Sequence, residues 1–270
     1  MNNPSLSICI PTYNNFQQLH WCLHSLTNNA PGPYRVLVVN NDSSAQSNEG
    51  IRHITSSIGL STDQITIIQP GSNLRWMGSI NIGLHHIHAS MAKYFCMMND
   101  DVIFPPSSNN FWLNMIGLME SDPSIGAVGP CSNFVSGNQN LHNVELPDIV
   151  ETSCLIGFCH VTKTKLLKDM GGLDENLPGG DDIDLSIRYR ENGYKLVAQR
   201  KSYLHHIGQQ TGQRVYEGYW DSNIHQELTT NAIIKKHGIK KWMSCWTHGW
   251  NEYTPCDTGV EREKDVVEQL

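Results

Sequence analysis

The stretch YFCMMNDDV, from Tyr94 to Val102, decides the fold prediction for this chain. Its first five residues are apolar and β-prone, which predicts a buried strand, and they run directly into Asn99, Asp100 and Asp101. In an open α/β sheet, ligands bind in the crevice beyond the carboxyl ends of the strands. Carboxylates at that place can hold a hard divalent cation, which in turn can hold a diphosphate. Because Asp and Asn also terminate strands as ordinary turn formers, the stretch alone leaves both interpretations open.

Two earlier predicted strands, Leu6–Ile10 and Val36–Val39, also end in polar clusters. The first continues into residues 11–15 and the second into residues 40–44. Helical patterns separate the strands, which predicts parallel βαβ units joined by right-handed crossovers. Parallel strands would bring all three polar ends to one edge of the sheet, where we expect them to form a single site.

The bulk composition fits one α/β domain, alone or with an appendage. The chain has 270 residues, of which 39% are hydrophobic and 17% are charged. A net charge of -7 argues against a nucleic-acid-binding surface. No basic segment precedes an apolar run at the start, and no stretch approaches membrane-spanning length. The eight cysteines include no Cys-x-x-Cys pair, which favours reduced thiols in a cytosolic protein over a zinc site or a disulfide framework.

An ordered series of blocks resembles the family 2 glycosyltransferases, over roughly Ser5 to Thr211. The blocks are Ser7–Asn14, Val36–Ser43, Asn73–Gly83, Asn99–Val102, Gly171–Glu175, Gly180–Leu185 and His206–Gly208. The resemblance implies an α/β protein with the GT-A fold, a Rossmann-like nucleotide-diphospho-sugar transferase architecture. Its central sheet is expected to be mostly parallel, with flanking helices. The implied domains are a glycosyltransferase domain over residues 1–212 and a helical C-terminal extension over residues 213–270.

The resemblance also implies a set of donor-binding residues. These are Pro11, Thr12, Tyr13, Asn40, Asp42, Asn73, Arg75, Gly78, Asn81, Asn99 and Asp100. The chain departs from the family where Asn40 replaces the usual base-reading Asp and Asp42 replaces a Gly. It departs again at Asp181 and Asp182, where the family usually has Glu-Asp. Uridine or thymidine diphosphate sugars are the favoured donors, and the change at Asn40 bears on the identity of the nucleotide.

Sugar transfer from a nucleotide diphosphate has two electrostatic demands, and the resemblance suggests residues for both. The diphosphate gains charge as it leaves, which a bridging divalent ion can stabilise. Asp101 is predicted to bind this ion with His206 as its second ligand, although the adjacent His205 competes for that role. A set of imidazole and carboxylate ligands suits Mn²⁺ better than Mg²⁺.

The acceptor hydroxyl must also lose a proton, and Asp182 is predicted to take it as the general base. A single base acting in line gives inversion at the sugar carbon. Asp181 is expected to orient the acceptor or a loop. The alternative for both residues is that they cap the helix that follows Gly179 and Gly180.

Beyond the last donor block, Trp242, Trp246 and Trp250 recur at helical spacing. Packing is the favoured interpretation, with an acceptor platform or a homodimer contact as alternatives. The resemblance implies a glycan or glycolipid acceptor, assembly of a bacterial or viral surface glycan, and a cytoplasmic location, free or peripheral to the membrane. Two other functions stay open: a sugar-nucleotide nucleotidyltransferase, and a non-catalytic module that binds nucleotides or sugars.

Overall fold

The computed structural model describes residues 5–42, 44–143, 145–208 and 223–246. Within these ranges, nine strands form one sheet in the order β3-β2-β1-β4-β8-β6-β9-β5, with β7 paired to β9. The strands are β1 Leu6–Thr12, β2 Tyr34–Asn40, β3 Ile65–Ile68, β4 Tyr94–Met98, β5 Val102–Ile103, β6 Ile125–Ser132, β7 Ile149–Thr152, β8 Cys159–Lys163 and β9 Lys195–His206.

The first half of the sheet is parallel, as the βαβ pattern predicts. β1 lies between β2 and β4, and β2 pairs with β3, all in parallel register. Thr12 lies opposite Asn40 at the ends of β1 and β2. The polar residues that follow β1, β2 and β4 therefore reach the same edge, and this edge carries the candidate site.

The second half of the sheet is mixed. β8 runs antiparallel to both β4 and β6, whereas β6 and β9 are parallel. β5 and β7 each pair antiparallel with β9. The predicted α/β class is confirmed, and its parallel character is concentrated in β1 to β4.

Helices cover both faces of the sheet. They are α1 Phe16–Asn29, α2 Ala45–Ser57, α3 Arg75–His85, α4 Ile87–Ser90, α5 Phe111–Ser121, α6 Thr164–Asp169, α7 Asp181–Glu191, α8 Asn223–His237 and α9 Ile239–Ser244, with 3₁₀ turns at Pro106–Asn110 and Gly137–Gln139.

Alternate residues of the central strands face opposite layers of the core. Ile8 and Val38 pack in the layer that contains Leu23 of α1. Cys9 and Leu37 face the other layer, against Ile80 and Leu84 of α3. These strands are therefore buried on both faces, which accounts for their continuous apolar runs.

Residue patterns also predict a helix from about Ser79 to Met91, one strand from Val150 to Val161 and two short strands at residues 195–197 and 202–204. The structure differs from each of these predictions. The helix predicted from Ser79 to Met91 is divided, because His86 adopts an extended conformation with a ψ of 144°. The strand predicted from Val150 to Val161 is two strands, β7 and β8. The two short strands predicted at residues 195–197 and 202–204 are one long strand, β9.

The C-terminal helices α8 and α9 pack against α7. Ile233 of α8 and Cys245, just after α9, join Ile187 of α7 in a small apolar cluster, with Trp242 against it. This agrees with the packing interpretation for Trp242; Trp250 lies outside the described residues, as does the predicted boundary at residue 212. None of the helices that the structure describes is long and apolar enough to cross a membrane.

Candidate active site

The ends of β1 and β4 are joined through the carboxylate of Asp100. Its Oδ2 accepts a hydrogen bond from Thr12 Oγ1 at 2.7 Å, and its Oδ1 accepts one from Asn15 Nδ2 at 3.0 Å. The N–H of Asn41 donates to the carbonyl of Thr12 at 2.9 Å, which ties in the end of β2. The three polar strand ends thus meet: the buried Asp100 joins β4 to β1, and Thr12 joins β1 to the end of β2.

The structure brings Asp101 and His206 together beside this junction. β5 pairs with β9 so that Val102 lies opposite His206, and the N–H of Ile207 donates to the Asp101 carbonyl at 3.0 Å. Asp101 Oδ1 lies 3.2 Å from His206 Nε2, and both side chains are largely buried. His205 points elsewhere, with its Nδ1 3.3 Å from the Tyr203 hydroxyl. Of the two adjacent histidines, His206 is the one beside Asp101.

The tautomer of His206 follows from its neighbours. Nδ1 lies 3.0 Å from the carbonyl oxygen of Phe134, which only accepts, so Nδ1 carries the hydrogen. In the neutral ring, Nε2 then presents a lone pair toward Asp101 and toward Asn99 Nδ2, which lies 3.2 Å away. A lone pair facing a carboxylate oxygen at this distance requires a proton or a cation between them.

Asp101 Oδ1 fits such a cation, since it is buried and, with His206 neutral, accepts no hydrogen bond from the residues that the structure describes. An oriented histidine whose second nitrogen binds a backbone carbonyl is the usual arrangement around a metal ligand. The described residues contain no cluster of three or more His, Cys, Asp or Glu that could hold a metal ion. Asp101 and His206 thus offer two protein ligands, and both are of the type that bind Mn²⁺.

Residues around His206 were not foreseen from the sequence. Asn133 Oδ1 accepts the His206 N–H at 2.8 Å, and the Phe158 ring stacks on the imidazole with centroids 5.3 Å apart. Phe134 packs so tightly against Gly208 that a Cβ there would lie 2.4 Å from the ring. Gly208 also has a φ of 79°, so both its conformation and its neighbour favour glycine.

Asp181 and Asp182 begin α7 after Gly180, whose φ is 71°. Asp182 Oδ1 accepts the N–H of Ile183 at 2.8 Å, while Asp181 Oδ2 accepts the indole N–H of Trp76 at 2.8 Å. Backbone N–H groups at the start of the helix donate to both carboxylates, so helix capping describes part of the environment of each. The contact with Trp76 is what distinguishes Asp181.

The aspartate pair adjoins the Asp101–His206 pair through one short segment. A Cβ placed on Gly157 would lie 3.7 Å from Asp182 Cβ. The next residue, Phe158, stacks on His206, and its carbonyl accepts the N–H of Asn99 at 2.9 Å. The Gly157–Phe158 segment thus forms a wall that the two pairs share.

Burial shifts the ionisation of the aspartate pair. It raises the pKa of Asp181 to about 7, and the neighbouring charge of Asp182 adds to this shift. Burial also raises the pKa of Asp182, against backbone N–H donors that lower it. Both carboxyl groups therefore have a pKa above that of exposed aspartates.

Asp184, the third acid of this helix, has a structural environment. Its fully buried carboxylate receives Arg188 at 2.8 Å, Lys236 at 2.6 Å and His237 at 2.7 Å. These contacts join α7 to α8. The run of acids at the start of α7 is thus divided between a candidate catalytic pair and a structural residue.

The predicted donor segment has an unusual backbone. Arg75 has a φ of 56°, which is uncommon for a residue with a side chain, and its side chain is exposed. Its N–H donates to Asn73 Oδ1 at 2.8 Å.

Gly78 lies close to Glu175, since a Cβ there would be 3.3 Å from Glu175 Oε2. Asn81 holds the Gly171–Glu175 block, because its amide bonds both the N–H and the carbonyl of Leu173 at 2.8 Å.

The amide of Asn40 is turned into the protein. Asn40 is fully buried, its Nδ2 donates to Asn48 Oδ1 at 2.7 Å, and its Oδ1 accepts from Ser47 Oγ at 3.2 Å. Pro11 is also buried, whereas Tyr13 and Asp42 are partly exposed at the same sheet edge. The predicted contact between Asn40 and a nucleotide base stays a prediction, and this environment gives Asn40 no exposed surface of its own.

The burial of Asp181 leads to a stability prediction. Its folded-state pKa of about 7 exceeds the unfolded value, so its ionisation destabilises the fold as pH rises from about 4 to above 7. Asp181→Asn should therefore raise the free energy of unfolding by on the order of 2 kcal/mol at pH 8, and by little at pH 4. Urea unfolding at the two pH values measures this. The surface variant Asp169→Asn is the control, and equal effects of Asp181→Asn at both pH values would contradict the prediction.

Comparison with known proteins identifies the family of this chain. The sequence profile of glycosyl transferase family 2 matches residues 7–170. Uncharacterized proteins of Mycobacterium bovis and Mycobacterium tuberculosis are 26% identical over an alignment of 216 positions, and the match covers 73% of this chain and 73% of theirs. The profile covers more than half of the chain, and the chain therefore belongs to glycosyl transferase family 2.

Three solved structures share the fold. A mannosyltransferase from Pyrobaculum calidifontis in complex with GDP-Man and Mn²⁺ has a TM-score of 0.60 at 16% identity, over 91% of this chain and 74% of its own. GalNAc-T7 with UDP, GalNAc and Mn²⁺ has a TM-score of 0.64 at 14% identity, over 98% and 55%. S. aureus TarS 1-349 has a TM-score of 0.61 at 14% identity, over 89% and 70%. The GT-A prediction is confirmed, and a glycosyltransferase takes precedence over the nucleotidyltransferase and the non-catalytic module.

Proposed function

We propose that this glycosyltransferase moves a sugar, with inversion, from a nucleotide-diphosphate donor to a hydroxyl group of a glycan or glycolipid. The observation that carries the proposal is the pair formed by Asp101 Oδ1 and His206 Nε2, 3.2 Å apart, beside the joined strand ends. Asp181 and Asp182, which are half-buried, lie beside Gly157, and the next residue, Phe158, stacks on His206. One pair suits the departing diphosphate and the other suits the incoming hydroxyl.

Asp101 and His206 would hold Mn²⁺, or less favourably Mg²⁺. A bound divalent ion supplies Lewis-acid stabilisation to a leaving diphosphate. Two structures of the same fold were solved with Mn²⁺ and either GDP-Man or UDP and GalNAc, which supports a metal and a nucleotide sugar here. The carbonyl of Phe134, which accepts the Nδ1 hydrogen at 3.0 Å, holds the imidazole so that Nε2 would face the ion.

Asp182 would accept the proton of the acceptor hydroxyl as that oxygen attacks the sugar. Burial raises the pKa of Asp182, which makes its carboxylate a stronger base than an exposed aspartate. Attack assisted by one base, on the face opposite the leaving diphosphate, inverts the sugar carbon. Asp181 would position the loop rather than take the proton, because its Oδ2 is held by Trp76.

The donor segment from Asn73 to Asn81 would bind the diphosphate and the sugar. The exposed guanidinium of Arg75 is suited to a phosphate oxygen, and its left-handed backbone is a cost that a binding role would explain. Thr12, Tyr13 and Asp42 lie at the neighbouring strand ends, where we place the nucleoside. Uridine and thymidine remain the favoured bases.

Asn40→Asp tests the proposed base preference. An Asp at this position only accepts hydrogen bonds, as the imide N–H of uracil requires, whereas Asn both accepts and donates. We expect the variant to sharpen the preference for uridine over guanosine diphosphate, measured by calorimetry with Mn²⁺. Asn48→Asp is the matched control, since it places a charge beside position 40 without changing that residue. An unchanged base profile in Asn40→Asp would mean that position 40 does not contact the base.

The direct test of donor binding is a thermal-shift panel. Uridine, thymidine, guanosine and adenosine diphosphates are each added with Mn²⁺ or with EDTA. A ligand that binds only the folded state at 100 times its Kd stabilises by about 2.7 kcal/mol, which raises the melting temperature by several degrees. We expect such a shift with uridine or thymidine diphosphate and Mn²⁺, and its loss with EDTA. No shift with any nucleotide would refute the proposal.

The cellular setting that we propose is assembly of a surface glycan in the cytoplasm, free or at the membrane surface. This part of the proposal rests on the family alone. The division into domains at residues 1–212 and 213–270 and a homodimer contact through the C-terminal tryptophans are proposals of the same kind. A mass measurement in solution by light scattering would test the dimer.

A further inference from the structure

The side chain of Trp76 connects two parts of the candidate site that are far apart in sequence. Its indole Nε1–H donates to Asp181 Oδ2 at 2.8 Å, across 105 positions of the chain. Its ring is partly buried against the apolar layer that contains Ile80 and Leu84. Trp76 therefore joins the first turn of α3, in the donor segment, to the first turn of α7, which carries the aspartate pair.

The backbone that leads into Trp76 is held on both sides. Asn41 Oδ1, at the end of β2, accepts the N–H of Leu74 at 3.0 Å and the hydroxyl of Ser79 at 2.9 Å. Between these contacts, Arg75 is kept in its left-handed conformation, with a φ of 56°. Such strain persists only where the surroundings determine the backbone. The position of the indole is therefore set by the same contacts that shape the donor segment.

The chemical nature of the indole donor matters beside a base. A lysine or arginine in this place would stabilise the carboxylate, but its charge would also lower the basicity of the adjacent Asp182. An indole N–H is neutral and only donates, so it can orient one oxygen of Asp181 with a smaller effect on the pair. Among the described contacts of Asp181, Trp76 is the side chain that donates to it.

We propose that Trp76 is a positioning residue for transfer: its indole N–H holds Asp181 so that Asp182 faces the bound donor and the acceptor. This inference rests on the proposed function and adds a residue that couples the donor segment to the base. Because Trp76 acts through Asp181, its loss should lower turnover more than donor affinity.

Two substitutions separate the hydrogen bond from packing. Trp76→Phe keeps an aromatic ring and removes the N–H, whereas Trp76→His is smaller and more polar but keeps an N–H at similar reach. We expect Trp76→Phe to lower kcat for Mn²⁺-dependent sugar transfer by about 10-fold or more, with the donor KM within about twofold of wild type. Trp76→His should recover most of the lost kcat. If Trp76 served packing alone, Phe would be the better replacement, and that order would overturn the inference.

Trp112 provides the matched control. Its indole N–H also makes a buried hydrogen bond, to the Ala30 carbonyl at 3.0 Å, but it lies in the α1–α5 part of the core. Trp112→Phe should leave kcat unchanged, and a fall equal to that in Trp76→Phe would point to a general effect of indole loss and overturn the inference. A wild-type protein that turns over no sugar nucleotide would refute the proposed function itself. Normal wild-type turnover with a normal Trp76→Phe variant would refute only the role of Trp76.

Discussion

Asp182→Asn is expected to lower the turnover number of sugar transfer by at least about 100-fold, the usual scale for a general base. The amide keeps the size of the side chain and its acceptor for the Ile183 N–H, but it cannot take a proton. Donor affinity should stay nearly normal, because the Asp101–His206 pair is untouched. Steady-state kinetics with calorimetry of donor binding would separate the two effects.

Asp181→Asn is the matched comparison for this prediction. Its Oδ oxygen can still accept the Trp76 N–H, so we expect a much smaller fall in turnover than in Asp182→Asn. If Asp182→Asn transfers sugar at the wild-type rate, the base lies elsewhere, and a strong loss in Asp181→Asn would identify it as Asp181. Asp184 is unsuitable as a control, because its variants would break the buried contacts with Arg188, Lys236 and His237.

Asp101→Ala is expected to abolish Mn²⁺-dependent donor binding. The substitution removes the carboxylate that faces His206 Nε2 and leaves the imidazole as the one protein ligand of the proposed pair. Since the proposed ion joins the protein to the diphosphate, both contacts should be lost together. Calorimetry of nucleotide binding with and without Mn²⁺ measures this, and unchanged affinity in the variant would refute the metal assignment.

Asp100→Asn is the control for the neighbouring carboxylate. Both carboxylate oxygens of Asp100 accept hydrogen bonds, from Thr12 and Asn15, so its amide variant should keep the Mn²⁺ dependence even if the strand ends loosen. If Asp100→Asn loses the Mn²⁺ dependence as completely as Asp101→Ala does, both substitutions act by disrupting the strand ends. The loss in Asp101→Ala would then not identify a metal ligand.

The sequence predicts the parallel half of the fold well, because each βαβ unit is local. The apolar runs of β1, β2 and β4 and the polar residues after them follow directly from residue type. Even the preference for His206 over His205 corresponds to geometry, since the register of β5 with β9 sets His206 beside Asp101. Periodicity does not predict the antiparallel pairing of β8 with β4 and β6, which depends on contacts distant in sequence.

Side-chain direction in the loops is the part that sequence reasoning could not supply. Asn40 follows a predicted strand like the other site residues, yet its amide binds Asn48 and Ser47 of α2. Trp76 has no motif of its own, and its contact with Asp181 depends on how α3 and α7 are packed. Asp184 looks like a member of the catalytic cluster, but Arg188 of α7 and Lys236 and His237 of α8 contact its carboxylate. Local patterns do not encode which of several neighbouring polar groups a helix will face.

The most direct measurement is hydrolysis of sugar nucleotides by the purified protein, in which water takes the sugar in place of the acceptor and nucleoside diphosphate is released, for a panel of donors with Mn²⁺ and with EDTA. If the protein is a metal-dependent transferase, at least one uridine or thymidine donor should release its diphosphate with Mn²⁺, and EDTA should abolish that release. Asp101→Ala should show none, and Asp182→Asn should show at most about one hundredth of the wild-type rate. Release that is equally fast in EDTA, or none from any donor with Mn²⁺, would contradict the central claim.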